Sequence, residues 1–264
     1  TAGSLTVTAA VPAGLTLTGI TNTNGTVTAN IAALCSATVG ANTVILTVTD
    51  SFGATQTASF TVNVTANTPP ALTYGPGTTI LGGGTIINPA TGPTDNGTVA
   101  SIVVQSKGTY TGSIAVDNTT GVVTATNAGP VGTHTITIRS TDDCGATTDS
   151  AFTLTVGKAD SATTITADNP DPSIYGAAIT VNFTVAGVAG TTPTGTVLIT
   201  VSGGTETCTG TLGAGLGSCT LTLTGVGPRT LTASYSGDGS YNPSSDTEGH
   251  DVSQSATTTT ITNL

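Results

Sequence analysis

Few side chains in this 264-residue chain can bridge, ligate or move protons: four Cys, two His, fourteen Asp or Glu, and four Lys or Arg. Cys208 and Cys219 flank a Gly-rich stretch, and a two-residue turn at Gly213-Ala214 places them opposite one another across a hairpin. A Cys208–Cys219 disulfide is therefore expected in an oxidising compartment. His134 and His250 stand in separate strand-like segments, without Cys or carboxylate neighbours at metal-site spacing. Both read as surface or packing histidines, with no zinc or triad role. Leu81-Gly-Gly-Gly lacks the Lys of a phosphate loop and reads as a turn. No pair of carboxylates stands out as a general acid and base, so the chain is not expected to be an enzyme.

The elements that must hold these residues announce themselves by repetition. Thr49 to Val64, TDSFGATQTASFTVNV, returns 92 residues later at Thr141 to Val156 as TDDCGATTDSAFTLTV, with eight of sixteen positions identical and no gap. Each copy is an alternating strand ending in Thr-Asp, a Gly-Ala-Thr turn, and a second alternating strand: the closing hairpin of a small β domain. Before the first copy, alternation marks strands at Leu5–Ala9, Leu15–Ile20, Thr26–Asn30 and Thr43–Asp50, and Thr57–Val64 follows. In the last third it marks Thr180–Val185, Gly195–Val201, Glu206–Leu212, Ser218–Thr224 and Arg229–Ser236.

Composition agrees with an all-β chain. Thr is about a quarter of the residues, Gly numbers 35, and helix formers are scarce. The net charge of −10 argues against nucleic acid or an anionic membrane as partner, since both need clustered cations. No apolar run is long enough to cross a membrane as a helix. Asn67-Thr-Pro-Pro70 reads as a linker. The expected division is 1–66, 67–157, 158–253, and a short segment 254–264. Residues Ala71 to Thr94, room for two strands of common length, have no counterpart in the first copy, which is expected to be a sandwich without its opening strands. Ser255-Ala-Thr-Thr-Thr-Thr-Ile-Thr repeats the opening Ser161-Ala-Thr-Thr-Ile-Thr, so both ends of the sequence are expected to fall inside domains.

Two resemblances follow. Val11-Pro-Ala-Gly-Leu-Thr-Leu with Asn24-Gly25-Thr-Val-Thr is similar to the cadherin-like Ig repeats of bacterial surface proteins. Tyr235-Ser-Gly-Asp238-Gly-Ser-Tyr241-Asn-Pro-Ser-Ser, with Thr163-Thr-Ile-Thr and Asn169-Pro-Asp-Pro, resembles the group-3 bacterial Ig-like domains across the third segment. They imply tandem Ig-like β-sandwiches arranged end to end. Tyr235, Asp238 and Tyr241 then form a structural corner, with tyrosine rings in the core and hydroxyls bonded to backbone.

The implied topology brings Cys35, at the C-terminal end of the first sandwich, toward Cys144, in the last hairpin turn of the second. That leaves two readings: an inter-domain disulfide, or two free thiols. Cadherin-like repeats bind calcium between domains through clustered carboxylates. Asn67-Thr-Pro-Pro supplies none, so Asp142 and Asp143 beside Cys144 are the calcium candidates, and no other cofactor is expected.

The function these readings imply is a segment of an extracellular or cell-surface bacterial fibre, stalk or adhesin. Its partners would be adjoining domains, copies of itself, or a host, surface or glycan ligand. One alternative is a filament subunit whose tail completes the opened first sandwich of the next molecule, with Ser255, Thr257, Thr259, Ile261 and Leu264 in the donor strand. A weaker alternative, a carbohydrate-binding module, calls for exposed aromatics in a chain with five Tyr, four Phe and no Trp.

Overall fold

In the computed structural model, residues 5–23, 25–188 and 190–262 are described. They form twenty-two β-strands, and no helix occurs among the described residues. The first set is β1 (Thr6–Ala10), β2 (Leu15–Thr23), β3 (Thr26–Ala33), β4 (Gly40–Thr49) and β5 (Thr55–Val64). The second begins with β6 (Ala71–Tyr74), β7 (Gly77–Ile80), β8 (Thr85–Ile87) and β9 (Pro89–Thr94). It continues through β10 (Val99–Ser106), β11 (Ser113–Val116), β12 (Val123–Thr126), β13 (Gly132–Asp142) and β14 (Thr147–Gly157). The third opens with β15 (Ala162–Asn169), β16 (Ser173–Ile174), β17 (Ala178–Ala186) and β18 (Thr196–Val201). Its remaining strands are β19 (Thr207–Thr211), β20 (Leu216–Thr222), β21 (Gly227–Tyr235) and β22 (Ser244–Ser253). Residues 71–94, expected to hold two strands, hold four short ones, because Gly and Pro interrupt the run every few residues.

Two compact units emerge. One comprises Thr1–Leu72, Gly92–Ser101 and Ser140–Thr148; the other comprises Thr73–Thr91, Ile102–Arg139 and Asp149–Leu264. The divisions between them fall within β6, β9, β10, β13 and β14.

Sheet order exposes the difference between the repeats. The first set makes β1-β4-β5 and β2-β3, whereas the second makes β10-β13-β14-β7 and β11-β12-β8. Strand β7 runs parallel to β14, with Leu154 opposite Gly77, and β8 is antiparallel to β12. In the third set the closing strand β22 likewise carries a parallel strand, β16, in the sheet β16-β22-β21-β18-β19. Among the described residues nothing pairs with the outer edge of β5.

Packing follows from this. Phe152 on β14 is 5% exposed, while its repeat counterpart Phe60 on β5 is 40% exposed. Leu15 and Val44 are the buried apolar side chains among the described residues of β1–β5, whereas β17 buries Ile179, Val181, Phe183 and Val185 in strict alternation. The same Thr/Val pattern thus builds a core only where a second layer covers it.

Candidate functional site

The repeated hairpin is where the predicted site residues gather. Asp50 and Asp142 close the two turns in the same way. Asp50 Oδ1 accepts from Phe52 N (2.8 Å) and Ala54 N (2.9 Å), and Asp142 Oδ1 from Cys144 N (2.9 Å) and Ala146 N (2.8 Å). Gly53 and Gly145 both hold φ of 86°, the left-handed conformation the turn requires. A short carboxylate two residues before a backbone N–H is the Asx-turn solution to unpaired donors in a tight bend.

The second copy adds a clamp. Asn67 Nδ2 donates to Asp142 Oδ2 (2.7 Å), and that bond, with those from the turn amides, holds the carboxyl below the usual carboxylate range. Asn96 Oδ1 accepts from Thr68 Oγ1 (3.1 Å), and Asn96 Nδ2 donates to Ala66 O (2.9 Å). Cys35 and Cys144 are joined in a disulfide across 109 residues, with Cα atoms 5.3 Å apart. What positions Cys35 is Gly14. Its φ of 82° turns the chain, and a Cβ there would lie 2.4 Å from the Ala37 backbone, so the segment bearing Cys35 packs directly on it. In the first copy the place of Cys144 is taken by Phe52, 93% exposed.

For calcium, both Asp142 oxygens are already engaged in these bonds, and the Asp143 backbone N–H is bonded to Thr98 O (3.0 Å). Neither residue belongs to a group of three ligand-bearing side chains among the described residues.

Cys208 and Cys219 also form a disulfide, with Cα atoms 5.8 Å apart. The turn differs from the one expected. The two central residues are Ala214 (φ 51°) and Gly215 (φ 78°), closed by Gly213 N to Leu216 O (2.8 Å) and Leu216 N to Gly213 O (3.0 Å). Beyond it the strands diverge, β19 joining the sheet with β18 and β20 the sheet with β17, so the disulfide ties two sheets rather than two rungs of a ladder. Phe183 separates them, in space that a Cβ on Gly210 or Gly217 would occupy.

Tyr235 and Tyr241 are buried. Tyr235 Oη donates to Thr194 O (3.0 Å), and Tyr241 Oη to Thr191 O (3.0 Å). Asp238 accepts from Ser240 N (2.7 Å) and Tyr241 N (2.9 Å) at one oxygen, and from Thr194 N (2.9 Å) and Oγ1 (2.8 Å) at the other. Burial pushes its carboxyl up, but these bonds outweigh it and hold the group at about 2.

Residues 254–262 are exposed and outside any strand, and Leu264 of the expected donor strand lies outside the described residues, as does Asn24 of the first turn.

His250 corrects the sequence reading. It is buried, and its Nδ1 lies 2.7 Å from Asp168 Oδ2 and 3.5 Å from Asp171 Oδ1, with Nε2 2.8 Å from Ser173 Oγ. These partners are 77 to 82 residues away along the chain, which is why local spacing missed them. A bulge between Ile165 and Ala167 turns Asp168 inward, toward β22. Ser173, His250 and Asp168 share the residue types of a hydrolytic triad, but Ser173 is 1% exposed and has no access for a substrate. By contrast, His134 is a packing residue, bonded to Thr109 Oγ1 (2.8 Å) and Pro130 O (2.8 Å).

With the tyrosine corner and the β22 sheet in view, comparison with known families finds a similarity over the last third. Residues 163–262 match the model of the bacterial Ig-like domain (group 3). Among solved structures, the chain is similar to the extracellular domain of protocadherin γB4, at 15% identity and a TM-score of 0.43. The match covers 96% of this chain and 46% of that one, so the chain spans less than half that structure's length. It is similar also to the titin I-band fragment I67–I69 (14% identity, TM-score 0.42, 96% and 88% covered). A third is the Escherichia coli adhesin FdeC (18%, TM-score 0.30, 96% and 86% covered). No curated protein matches. The described residues are all-β throughout, and the last third is similar to the group-3 domain.

Proposed function

We propose that this chain is a load-bearing segment of an extracellular bacterial fibre, stalk or adhesin, in which tandem Ig-like modules supply reach. The observation that carries this reading is the Cys35–Cys144 disulfide. It links one repeat to the closing turn of the next, at the point where the Asp142, Asn67 and Asn96 hydrogen bonds also converge. Disulfides persist in oxidising, extracellular compartments, and a covalent tie between successive repeats suits a strand under tension. The Thr-rich surface, poor in charge, supports the same reading, because it offers little to bind nucleic acid or anionic lipid.

A second reading is a filament subunit assembled by strand addition. It is favoured by the uncovered edge of β5, set against the parallel strands that cover β14 and β22, together with the exposed segment 254–262. One experiment separates the two. The natural material is boiled in denaturant, with and without reductant, and its polypeptide mass is measured. A species far heavier than 25.5 kDa under both conditions supports a continuous repeat chain. A single band near 25.5 kDa supports discrete subunits and refutes the continuous fibre.

A further inference from the structure

Asp168, Asp171 and His250 come from the end of β15, the loop after it and β22, and bring one ligand atom each to within 4.8 Å of the others. The ring of His250 is deeply buried and Asp168 is 8% exposed, whereas Asp171 is 42% exposed. The group is therefore held from inside and open to solvent on one side. Two ligands on a tetrahedral ion with bonds of about 2.0–2.1 Å stand roughly 3.3 Å apart. The 3.5 Å between His250 Nδ1 and Asp171 Oδ1 is already close to that, and the 2.7 Å to Asp168 Oδ2 needs to open by about half an ångström.

The surroundings fit the same occupant. Ser173 Oγ, 2.8 Å from His250 Nε2, can accept that N–H and leave the Nδ1 lone pair facing the two carboxylates. An outer hydrogen bond of this kind fixes tautomer and orientation in metal-bound imidazoles. Asp246 and Glu248 share the inward face of β22 with His250, and the Asp251 N–H is bonded to Asp171 Oδ1 (3.2 Å). Glu248 Oε2 is buried with no hydrogen-bond partner among the described residues. No Lys or Arg among the described residues pairs with any of these acids. Arg139 is paired with Asp149, Lys158 donates to Asp238 O, and Arg229 donates to Ser202 O and Gly225 O.

We infer that Asp168, Asp171 and His250 form a binding site for one divalent transition-metal ion of the zinc class. An imidazole with two carboxylates is too few oxygens for calcium, which takes six to eight, while the nitrogen donor suits zinc. Water fills the fourth position on the Asp171 side. The bound ion would pin β15 and the following loop to β22.

The test is calorimetric titration of the full oxidised chain, stripped with chelator, with zinc chloride at neutral pH and a parallel titration with calcium chloride. One zinc per chain is expected. Asp171→Asn, at an exposed position where an acceptor for the Asp251 N–H is kept, should weaken binding at least tenfold, and His250→Gln should abolish it. Asp117→Asn, in an exposed turn elsewhere, should change nothing. The assignment is overturned if no saturable zinc uptake occurs below about 1 mM, if Asp171→Asn binds as the parent does, or if calcium binds there and zinc does not.

Discussion

Replacing both Cys35 and Cys144 by Ser, or reducing their bond, should release a large hidden length when the chain is pulled from its ends. The disulfide closes 109 residues over a Cα separation of 5.3 Å. At about 3.6 Å per extended residue, the closed loop withholds roughly 390 Å of contour from any applied force. The Cys208–Cys219 loop, 11 residues, withholds only about 40 Å. Force–extension curves of single molecules should therefore lengthen by about 430 Å when both bonds are reduced, whereas the unreduced Cys35/Cys144 double variant should be about 390 Å longer than the oxidised parent and gain only about 40 Å on reduction. The same loop length sets an upper figure for stability. The chain-entropy argument gives about 4.8 kcal/mol for 109 residues and about 2.8 kcal/mol for 11. Denaturant unfolding of the double variant should show a loss in that range, confined to the repeats that the bond ties. Equal contour lengths with and without reductant, in a protein whose thiols are shown to be liberated, would refute the claim that this bond bears load.

Other perturbations separate packing from exposure and from charge. Phe152→Ala should cost about 3–5 kcal/mol, whereas Phe60→Ala, at the matching position of the first repeat, should cost under about 1 kcal/mol; thermal melts compare them. Gly14→Ala should destabilise by more than about 1 kcal/mol and slow re-formation of the Cys35–Cys144 bond, because the left-handed turn and the Ala37 backbone leave no room for a Cβ; thiol titration during refolding reads this. Asp238, whose folded value of about 2 lies below the ordinary carboxylate, stabilises the native state above about pH 4, and that contribution falls away as pH drops through 2. Asp238→Asn should remove this acid-sensitive component and lower stability at neutral pH by about 1–2 kcal/mol, measured as the midpoint of denaturant unfolding against pH.

The hairpin turns were legible because every part of them is local. An Asp, a Gly three residues on and an amide to be bonded are enough, and so Asp50 and Asp142 adopt one geometry in two settings. The Cys208–Cys219 pair was legible for a related reason, since its short separation suits a hairpin, whereas Cys35 and Cys144 were left between a disulfide and free thiols until the structure joined them. The detail failed where a ladder gave way to two sheets, since the sequence around Gly213 does not reveal that β19 and β20 part beyond Ala214-Gly215. The cluster around His250 was invisible, because a strand read in isolation shows only its own neighbours.

By itself the sequence determined the strand-rich class, the repeat, the Asp-closed hairpin turns and the resemblance of the last third to the group-3 domains, all of which rest on alternation and on residues a few positions apart. Tertiary structure decided which equal residues become unequal. Phe60 and Phe152 share a motif but differ in exposure, because covering a sheet depends on strands from elsewhere in the chain. It also decided that His250 meets Asp168 and Asp171, which lie 82 and 79 residues before it. A bulge after Ile165 and a parallel strand at Ser173 brought together groups separated by about eighty residues. Burial and long-range pairing are properties of the assembled sheets, and no window along the chain contains them.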